Sequence, residues 1–289
     1  MENNMENKSK KKKILGVVGS LAAIVVMYFV FEKMMYVETE NAQIEAHSVL
    51  IAAKVGGYIR EVSVKDGSKV KKDQVLIQLD DRDYKVALDS SKSDLLSLGA
   101  RMRDAEKNFS RIRDLYSKSV VSQQQFDSAS ANYNDTKGKY DSAQARVSQA
   151  SLNLEHTQIK SPSDGVVAKI SAEVGQLANP GVALVGFVGS ESRWVTANFK
   201  ETEISNLKPG QKVKVSVDAI PGKKFQGEVE SISSATGATF TLLPPDNATG
   251  NFTKVVQRVP VRIKLENLSS EDIELLHAGL SALVKVSIR

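Results

Sequence analysis

The sequence predicts a mainly β protein interrupted by one long α-helical hairpin, with an N-terminal transmembrane helix and a small β-barrel in its last third. Three observations carry this. A short β grammar occurs twice: Ala53-Lys-Val-Gly-Gly-Tyr-Ile59 is matched by Ser161-Pro-Ser-Asp-Gly-Val-Val167, Gly57 and Gly67 recur as Gly165 and Gly175, and Leu76-Ile77 recurs as Leu184-Val185. Between the two copies lie two proline-free stretches with apolar residues every seventh position. Ahead of both stands an uncharged run, Ile14 to Phe31. Two halves of one β module separated by a helical excursion make an architecture that spans distance, which is not the usual layout of a catalytic pocket.

The first element is a basic tail, residues 1–13, carrying Lys8 and Lys10 to Lys13. The chain's net charge of +5 equals what these five lysines supply, so the remainder is balanced and gives no reason to expect a nucleic-acid partner. Residues 14–31 follow as the anchor. Eighteen uncharged residues make a helix of about 27 Å, enough to cross a hydrocarbon core when the flanking lysines snorkel. The alternative is a cleaved signal peptide, but Met27-Tyr-Phe-Val-Phe-Glu-Lys-Met-Met35 offers no small-x-small cleavage site. The lysines place the N-terminus in the cytoplasm, which puts the bulk of the chain beyond the inner membrane. No later apolar run is long enough to span, so the chain is not expected to be a transporter itself.

The hairpin is expected at 81–159. Leu88, Leu95, Met102, Phe109 and Tyr116 form one heptad series, and Phe126, Tyr133, Tyr140, Val147 and Leu154 the other. Folding the chain back near Ser119–Val121 pairs Tyr116 with Phe126, Phe109 with Tyr133, Met102 with Tyr140, Leu95 with Val147 and Leu88 with Leu154. The smaller layers Ile112–Ala129, Ala105–Thr136, Leu98–Ala143 and Ser91–Ala150 fall between them in the same register. Such a seam drives two antiparallel helices together as a coiled coil. The same series could serve two helices inside a globular bundle, but the remaining faces are crowded with Asp, Arg, Lys, Ser and Gln, as a solvated pair requires.

The β halves are expected at 45–80 and 160–189. Strands read from Val49 to Ile59, Glu61 to Val64 and Gln74 to Leu79, then from Val166 to Ile170 and Val182 to Val188, with Asp66-Gly67 and Gly175 as turns. Neither half can bury a face alone; together they close a flattened sandwich. Residues 190–289 change grammar. Alternation over Trp194 to Phe199, a short helix at Glu201–Leu207, a Pro209-Gly210 turn and strands at 212–217, 225–232, 255–265 and 282–288 suggest a small closed barrel of about five strands. The loop from Phe240 to Phe252 reads equally as a cover for the barrel or as a functional contact.

Nothing in the chain points to catalysis or to a bound metal or cofactor. Absence of cysteine excludes disulfides, thiolate ligands and thiol nucleophiles. His47, His156 and His277 are dispersed and lie in no metal-ligand spacing. There is no GxSxG, P-loop or dinucleotide fingerprint.

Taken in order, anchor, half module, hairpin, other half and barrel resemble the membrane fusion proteins, or periplasmic adaptors, of tripartite efflux and secretion systems. The resemblance covers residues 14–289 and is closest to the EmrA branch of the HlyD-type adaptors. It is carried in the barrel by Asn198-Phe-Lys-Glu-Thr-Glu-Ile204, Leu207-Lys-Pro-Gly-Gln211, Leu242-Leu-Pro-Pro-Asp-Asn-Ala-Thr-Gly-Asn251 and Val255-Val-Gln-Arg-Val-Pro-Val261. It implies that the split module is lipoyl-like (a barrel-sandwich hybrid). A lipoyl carrier proper would need a lysine on the turn that the hairpin replaces, so lipoylation is not expected. It implies a Gram-negative inner-membrane location with the bulk periplasmic, and a homo-oligomer, commonly a hexamer. It further implies an inner-membrane transporter, of major-facilitator type for this branch, and a TolC-like outer-membrane channel as partners, with amphipathic drugs as cargo. An ABC-driven secretion system and a non-transport membrane scaffold remain the rival settings. Such adaptors often carry Arg, Leu and Ser at a fixed spacing at the hairpin tip, where they dock on the channel, and Arg111, Leu115 and Ser122 have that spacing. Read from the residues alone, Arg111 could be a solvated arm residue, and Ser122 could cap the second helix with Gln125 completing a capping box. The chain departs from the branch in a shorter hairpin, and with little sequence after the barrel a separate membrane-proximal domain of the drug-efflux type is not expected.

Overall fold

The computed structural model describes residues 27, 35–240 and 255–288. The expected anchor at 14–31, apart from Met27, and the loop from 241 to 252 lie outside them, and among the described residues no helix is long and apolar enough to cross a membrane. The chain divides into two units, Ser48–Gly189 and Met1–His47 with Ser190–Arg289. Two long strands, β1 (Tyr36–Ala52) and, later, β8 (Ala183–Lys200), contribute to both.

In the unit Ser48–Gly189 the first half supplies β2 (Gly57–Val62), β3 (Lys69–Val70) and β4 (Val75–Leu79). Helices α1 (Arg82–Ser117) and α2 (Gln123–Glu155) intervene. The second half supplies β5 (Gln158–Lys160), β6 (Gly165–Ile170), β7 (Leu177–Ala178) and the start of β8. The halves are interlocked rather than adjacent, because β2 pairs with β7 (Tyr58 opposite Leu177) and β3 with β6 (Val70 opposite Gly165).

The sequence repeat is a structural pseudo-twofold. The Gly67 N–H donates to the Val167 carbonyl at 2.8 Å, and the Gly175 N–H to the Ile59 carbonyl at the same distance. The Val167 N–H donates to the Ser68 carbonyl and the Ile59 N–H to the Gln176 carbonyl, both at 2.9 Å. The Asp73 N–H reaches the Ser161 carbonyl, and the Gly181 N–H its counterpart on Ala53. Each turn therefore satisfies the backbone of the other half. The two turns need φ values of +79° and +87°, a region glycine enters without a Cβ penalty. Ile59, Leu76 and Leu79 from one half and Val167, Leu184 and Phe187 from the other share one core. Each such side chain contributes about 1.5–3 kcal/mol on burial, which neither half could realise alone. One expectation changes here: the strand read as Val49 to Ile59 is two strands, with a bend at Lys54-Val55 between β1 and β2.

The helices are rooted in this sandwich by polar contacts. The Tyr84 hydroxyl donates to the Gly56 carbonyl at 2.6 Å, the Asp80 N–H to the Tyr58 carbonyl at 2.8 Å, and the Leu79 N–H to the Thr157 carbonyl at 2.9 Å. Arg60 and Lys85 both pair with the Asp81 carboxylate, at 3.5 and 2.9 Å. The Arg82 guanidinium grips Asp80 and lowers its carboxyl from 3.8 to about 2; Lys85 likewise lowers that of Asp81. A carboxyl depressed by folding contributes stability above its ordinary value and loses it as pH falls through the depressed one. Amide exchange in the first turns of α1 should therefore accelerate as pH is lowered from 3.8 toward 2, relative to the intrinsic rate. Arg82→Gln should remove the part of that pH dependence due to Asp80; an unchanged profile in the variant would show that the pair contributes nothing.

Between the helices the rings meet in layers. Phe109 stacks on Tyr133 with centroids 5.6 Å apart, Tyr116 stacks on Phe126 at 4.9 Å, and Phe109 also lies 5.7 Å from Phe126. Leu88, Ala105, Ala129 and Ala143 are buried; Leu95, Met102, Val147 and Leu154 are half-buried. Tyr116 is 38% exposed despite its stacking, because the helix pair ends there. Gly99 is buried at a position outside the expected seam: a Cβ there would sit 3.2 Å from Cε2 of Tyr140, so the small residue makes room for that ring. Phe109→Ala should cost about 2 kcal/mol, below the usual cost for a fully buried phenylalanine because the side chain is only half-buried. Thermal melting of the protein checks it, and an unchanged midpoint would reject the layer.

In the other unit, β8 continues and is joined by β9 (Lys212–Val217), β10 (Lys224–Ile232), β11 (Arg258–Glu266) and β12 (Ser281–Ser287). The order is β1-β12-β9-β10-β11-β8, and a further β1–β8 pairing closes the ring. The barrel thus has six strands, not about five, and draws the sixth from before residue 45, where the sequence suggested no strand. Ile44, Val195, Phe199, Val215 and Ile263 are fully buried within it. Helix α3 (Ser270–Leu275), also not anticipated, starts at a capping box between Ser269 and Asp272, and Asp272 is held by Lys223. The expected helix at 201–207 is a single 3-10 turn, Ile204–Asn206.

Candidate functional site at the hairpin tip

Helix α1 ends because its last carbonyls turn inward. The Leu115 carbonyl accepts from the N–H groups of Lys118 (3.2 Å) and Val120 (3.0 Å), and that of Tyr116 accepts from Ser119 (2.9 Å). Ser119 takes a left-handed φ of 58°, a costly conformation for serine that reverses the chain in few residues. Helix α2 begins at Ser122. Its Oγ accepts from the Gln125 N–H at 3.3 Å, and its own N–H donates to the Gln125 Oε1 at 3.0 Å. The cap fixes where the second arm starts, and so the length of the turn.

The expected tip residues all fall at this end. Arg111 is exposed and lies on the same face of α1 as Leu115, one turn away. Leu115 is half-buried in the final turn. The Ser122 oxygen is engaged in the cap, which leaves its hydroxyl hydrogen available to an outside acceptor. The sequence reading overlooked two neighbours: Arg113, whose guanidinium lies 5.9 Å from the centre of the Phe109 ring, and Val120, 65% exposed at the turn. An exposed valine beside a half-buried leucine gives the end of the hairpin an apolar cap flanked by a cation and a hydroxyl. That combination suits the end of another helix, whose terminal carbonyls accept from Arg111 and Ser122.

Elsewhere the polar clusters are structural. The lone tryptophan, Trp194, donates from Nε1 to Glu45 at 2.8 Å, stacks under the Arg262 guanidinium at 4.1 Å, and meets the His47 ring edge-on at 4.9 Å. Arg193 is buried and donates to the carbonyls of Leu276 and Ser192; burial lowers its pKa. His156 caps the end of α2. Among the described residues no three His, Asp or Glu side chains are grouped to hold a metal ion.

Comparison with known proteins places these parts. Residues 47–187 match the family of RND membrane fusion protein barrel-sandwich hybrid domains, and residues 194–286 match YknX-like β-barrel domains. The colistin resistance protein EmrA of Acinetobacter baumannii is 32% identical over 100% of this chain and 98% of its own length. The multidrug export protein EmrA of Haemophilus influenzae is also 32% identical, over 99% of this chain and 86% of its own. Among solved structures, the membrane fusion protein Spr0693 of Streptococcus pneumoniae R6 superposes with a TM-score of 0.63 over 87% of this chain and 98% of that one. At 19% identity, that likeness speaks to the fold alone.

Proposed function

This chain belongs to the membrane fusion proteins, in the EmrA-like branch, and from that premise we propose that it is the periplasmic adaptor of a tripartite efflux pump. It bridges an inner-membrane transporter to a TolC-like outer-membrane channel and so serves the export of amphipathic toxic compounds. The observation that carries this reading is the insertion of two paired helices, of 36 and 33 residues, between the halves of one interlocked sandwich. A pair of arms about 50 Å long adds nothing to a pocket, but it reaches another protein. We read the pair as a two-stranded coiled coil whose seam is Leu88, Leu95, Met102, Phe109 and Tyr116 against Phe126, Tyr133, Tyr140, Val147 and Leu154. Arg111, Leu115 and Ser122 dock on the channel.

In this reading residues 14–31 anchor the chain in the inner membrane with residues 1–13 in the cytoplasm. The lipoyl-like modules (45–80 with 160–189) pack side by side in a homo-oligomer, a hexamer for this branch, whose hairpins (81–159) extend it as a tube. The barrel (190–289) faces a transporter of major-facilitator type. The protein does no chemistry; the transporter supplies the energy. Reversible crosslinking in the native host, followed by purification of the full-length chain, should recover both an inner-membrane transporter and an outer-membrane channel. Recovery of neither would leave a membrane-anchored scaffold, and recovery of an ABC transporter would move the protein to a secretion system.

A further inference from the structure

The strand registers define one rim of the barrel, the rim at which the chain enters it. Tyr36, the first residue of β1, lies opposite Ser287 near the end of β12. Arg258, the first of β11, lies opposite Lys200, the last of β8, and Ile232, the last of β10, lies opposite Val261. The Glu201 N–H still donates to the Gln257 carbonyl at 2.9 Å, so the pairing of β8 with β11 runs one residue past the strands. Val256 and Val255 come next along the chain, 51% and 66% exposed. Neighbouring side chains on a chain running into a strand point to opposite sides. A single flat protein surface covers one such side; a fluid apolar layer surrounds both.

The rest of this rim has the composition of a membrane interface. The Lys214 ammonium lies 5.6 Å from the centre of the Tyr36 ring, and tyrosine beside lysine is the usual pair at headgroup level. Lys200 is held by Glu203 at 3.8 Å, and Lys212 by Glu228 and Glu266 at 3.2 and 3.3 Å. Exposed Arg258 and Lys208 remain against exposed Glu201, so the charge left over is positive. Lys208 belongs to this rim because the Gly210 N–H, in the same turn, donates to the Val229 carbonyl near the end of β10.

We propose that this rim stands in the headgroup layer of the bilayer, with Val255 and Val256 inserted toward the acyl chains and Lys208 and Arg258 on lipid phosphates. This rests on the reading of residues 14–31 as an anchor. From Phe31 to Tyr36 the chain takes five residue steps, at most about 18 Å, so the rim cannot stand far from the surface. A tether that short keeps the local lipid concentration high, and two valines suffice where free association would need a larger apolar face. The contact fixes the tilt of the barrel on the membrane, which a tether alone would leave free.

The chain has no cysteine, so Ser234→Cys, exposed just past β10, gives a single site on this rim for an environment-sensitive fluorophore. Lys224→Cys, exposed at the start of β10 and so at the opposite end of the barrel, is the control. The full-length chain alone is placed in nanodiscs of phosphatidylethanolamine and phosphatidylglycerol carrying a lipid with a nitroxide high on its acyl chain. The label at 234 should lose most of its emission and the label at 224 should keep it. Val255→Asp with Val256→Asp should restore the emission at 234 with an unchanged melting midpoint, because carboxylates resist entry into the bilayer. Equal emission at 234 and 224, or quenching at 234 that survives the two aspartates, would overturn the contact while leaving the anchor in place. Quenching at 234 that appears only when a transporter is reconstituted with the chain would give the rim to that protein instead of to lipid. A chain that separates from the nanodiscs on gel filtration would remove the anchor, and this contact with it.

Discussion

Leu115→Asp should reduce export to the level of a strain lacking the adaptor while the protein still folds and reaches the envelope. Leu115 sits in the last turn of α1, half-buried, with exposed Val120 across the turn. An aspartate there loses part of an apolar contact, and its charge faces the negative end of the helix dipole, so the hairpin should lose about 1 kcal/mol. The hairpin is also tied at its other end, where Tyr84, Asp81 and Thr157 bond it to the sandwich, so this loss should not separate the arms. On the docking role proposed for Leu115, channel binding should suffer far more. Apolar anchors at the centre of an interface contribute about 2 kcal/mol or more each, and a desolvated carboxylate in their place brings a further penalty; a thirtyfold or greater loss of channel affinity follows. Drug susceptibility and a thermal melt of the same variant separate the two effects. Leu115→Asn, which removes the apolar group without the charge, should fall between. Wild-type resistance in a folded Leu115→Asp protein would remove this residue from the docking contact.

What the sequence made legible was what periodicity encodes. The two heptad series and the doubled glycine grammar each repeat often enough to be read without coordinates, and the capping box at Ser122 follows from residue types alone. The first strand was lost for an equally physical reason. Residues from Val37 to Ala46 alternate between buried and exposed until Glu40 and Asn41, where the register of β1 against β12 shifts and two consecutive side chains face solvent. A bulge of that kind breaks the period of two on which strand recognition depends. The buried member before it is a threonine, whose hydroxyl donates to the Asn198 carbonyl at 2.9 Å, so the apolar signal is weaker still. In β8 the polar run Ser190-Glu191-Ser192 marks the boundary between the two units, and the backbone stays extended through it. Gly99 was illegible because its role is to be small opposite Tyr140, and nothing in the sequence announces a cross-helix neighbour.

The repeat equates Gly57 with Gly165, but the two positions should respond to alanine very differently. At Gly165 a Cβ would lie 2.4 Å from both Cζ of Phe187 and the carbonyl oxygen of Val188. Val188 is on the strand that pairs with β6, so its carbonyl cannot withdraw without breaking that ladder. Phe187 is 2% exposed in the core shared by both halves and has no space to turn into. Gly165→Ala should therefore cost about 3 kcal/mol or more, the upper end for an overpacked site. At Gly57 the nearest atoms to an added Cβ are those of the Leu79 side chain at 3.5 and 3.7 Å, which is ordinary contact, so Gly57→Ala should change stability by less than about 1 kcal/mol. Because each half completes the other's backbone bonds, the loss at Gly165 should not stay local. The arms are rooted on the same sandwich, so the variant should fail in export through loss of the whole unit and show a lowered first transition on heating. Equal melting points for the two alanine variants would mean that the halves are equivalent in packing as well as in sequence, and that the close approach of β6 to β8 does not constrain the fold.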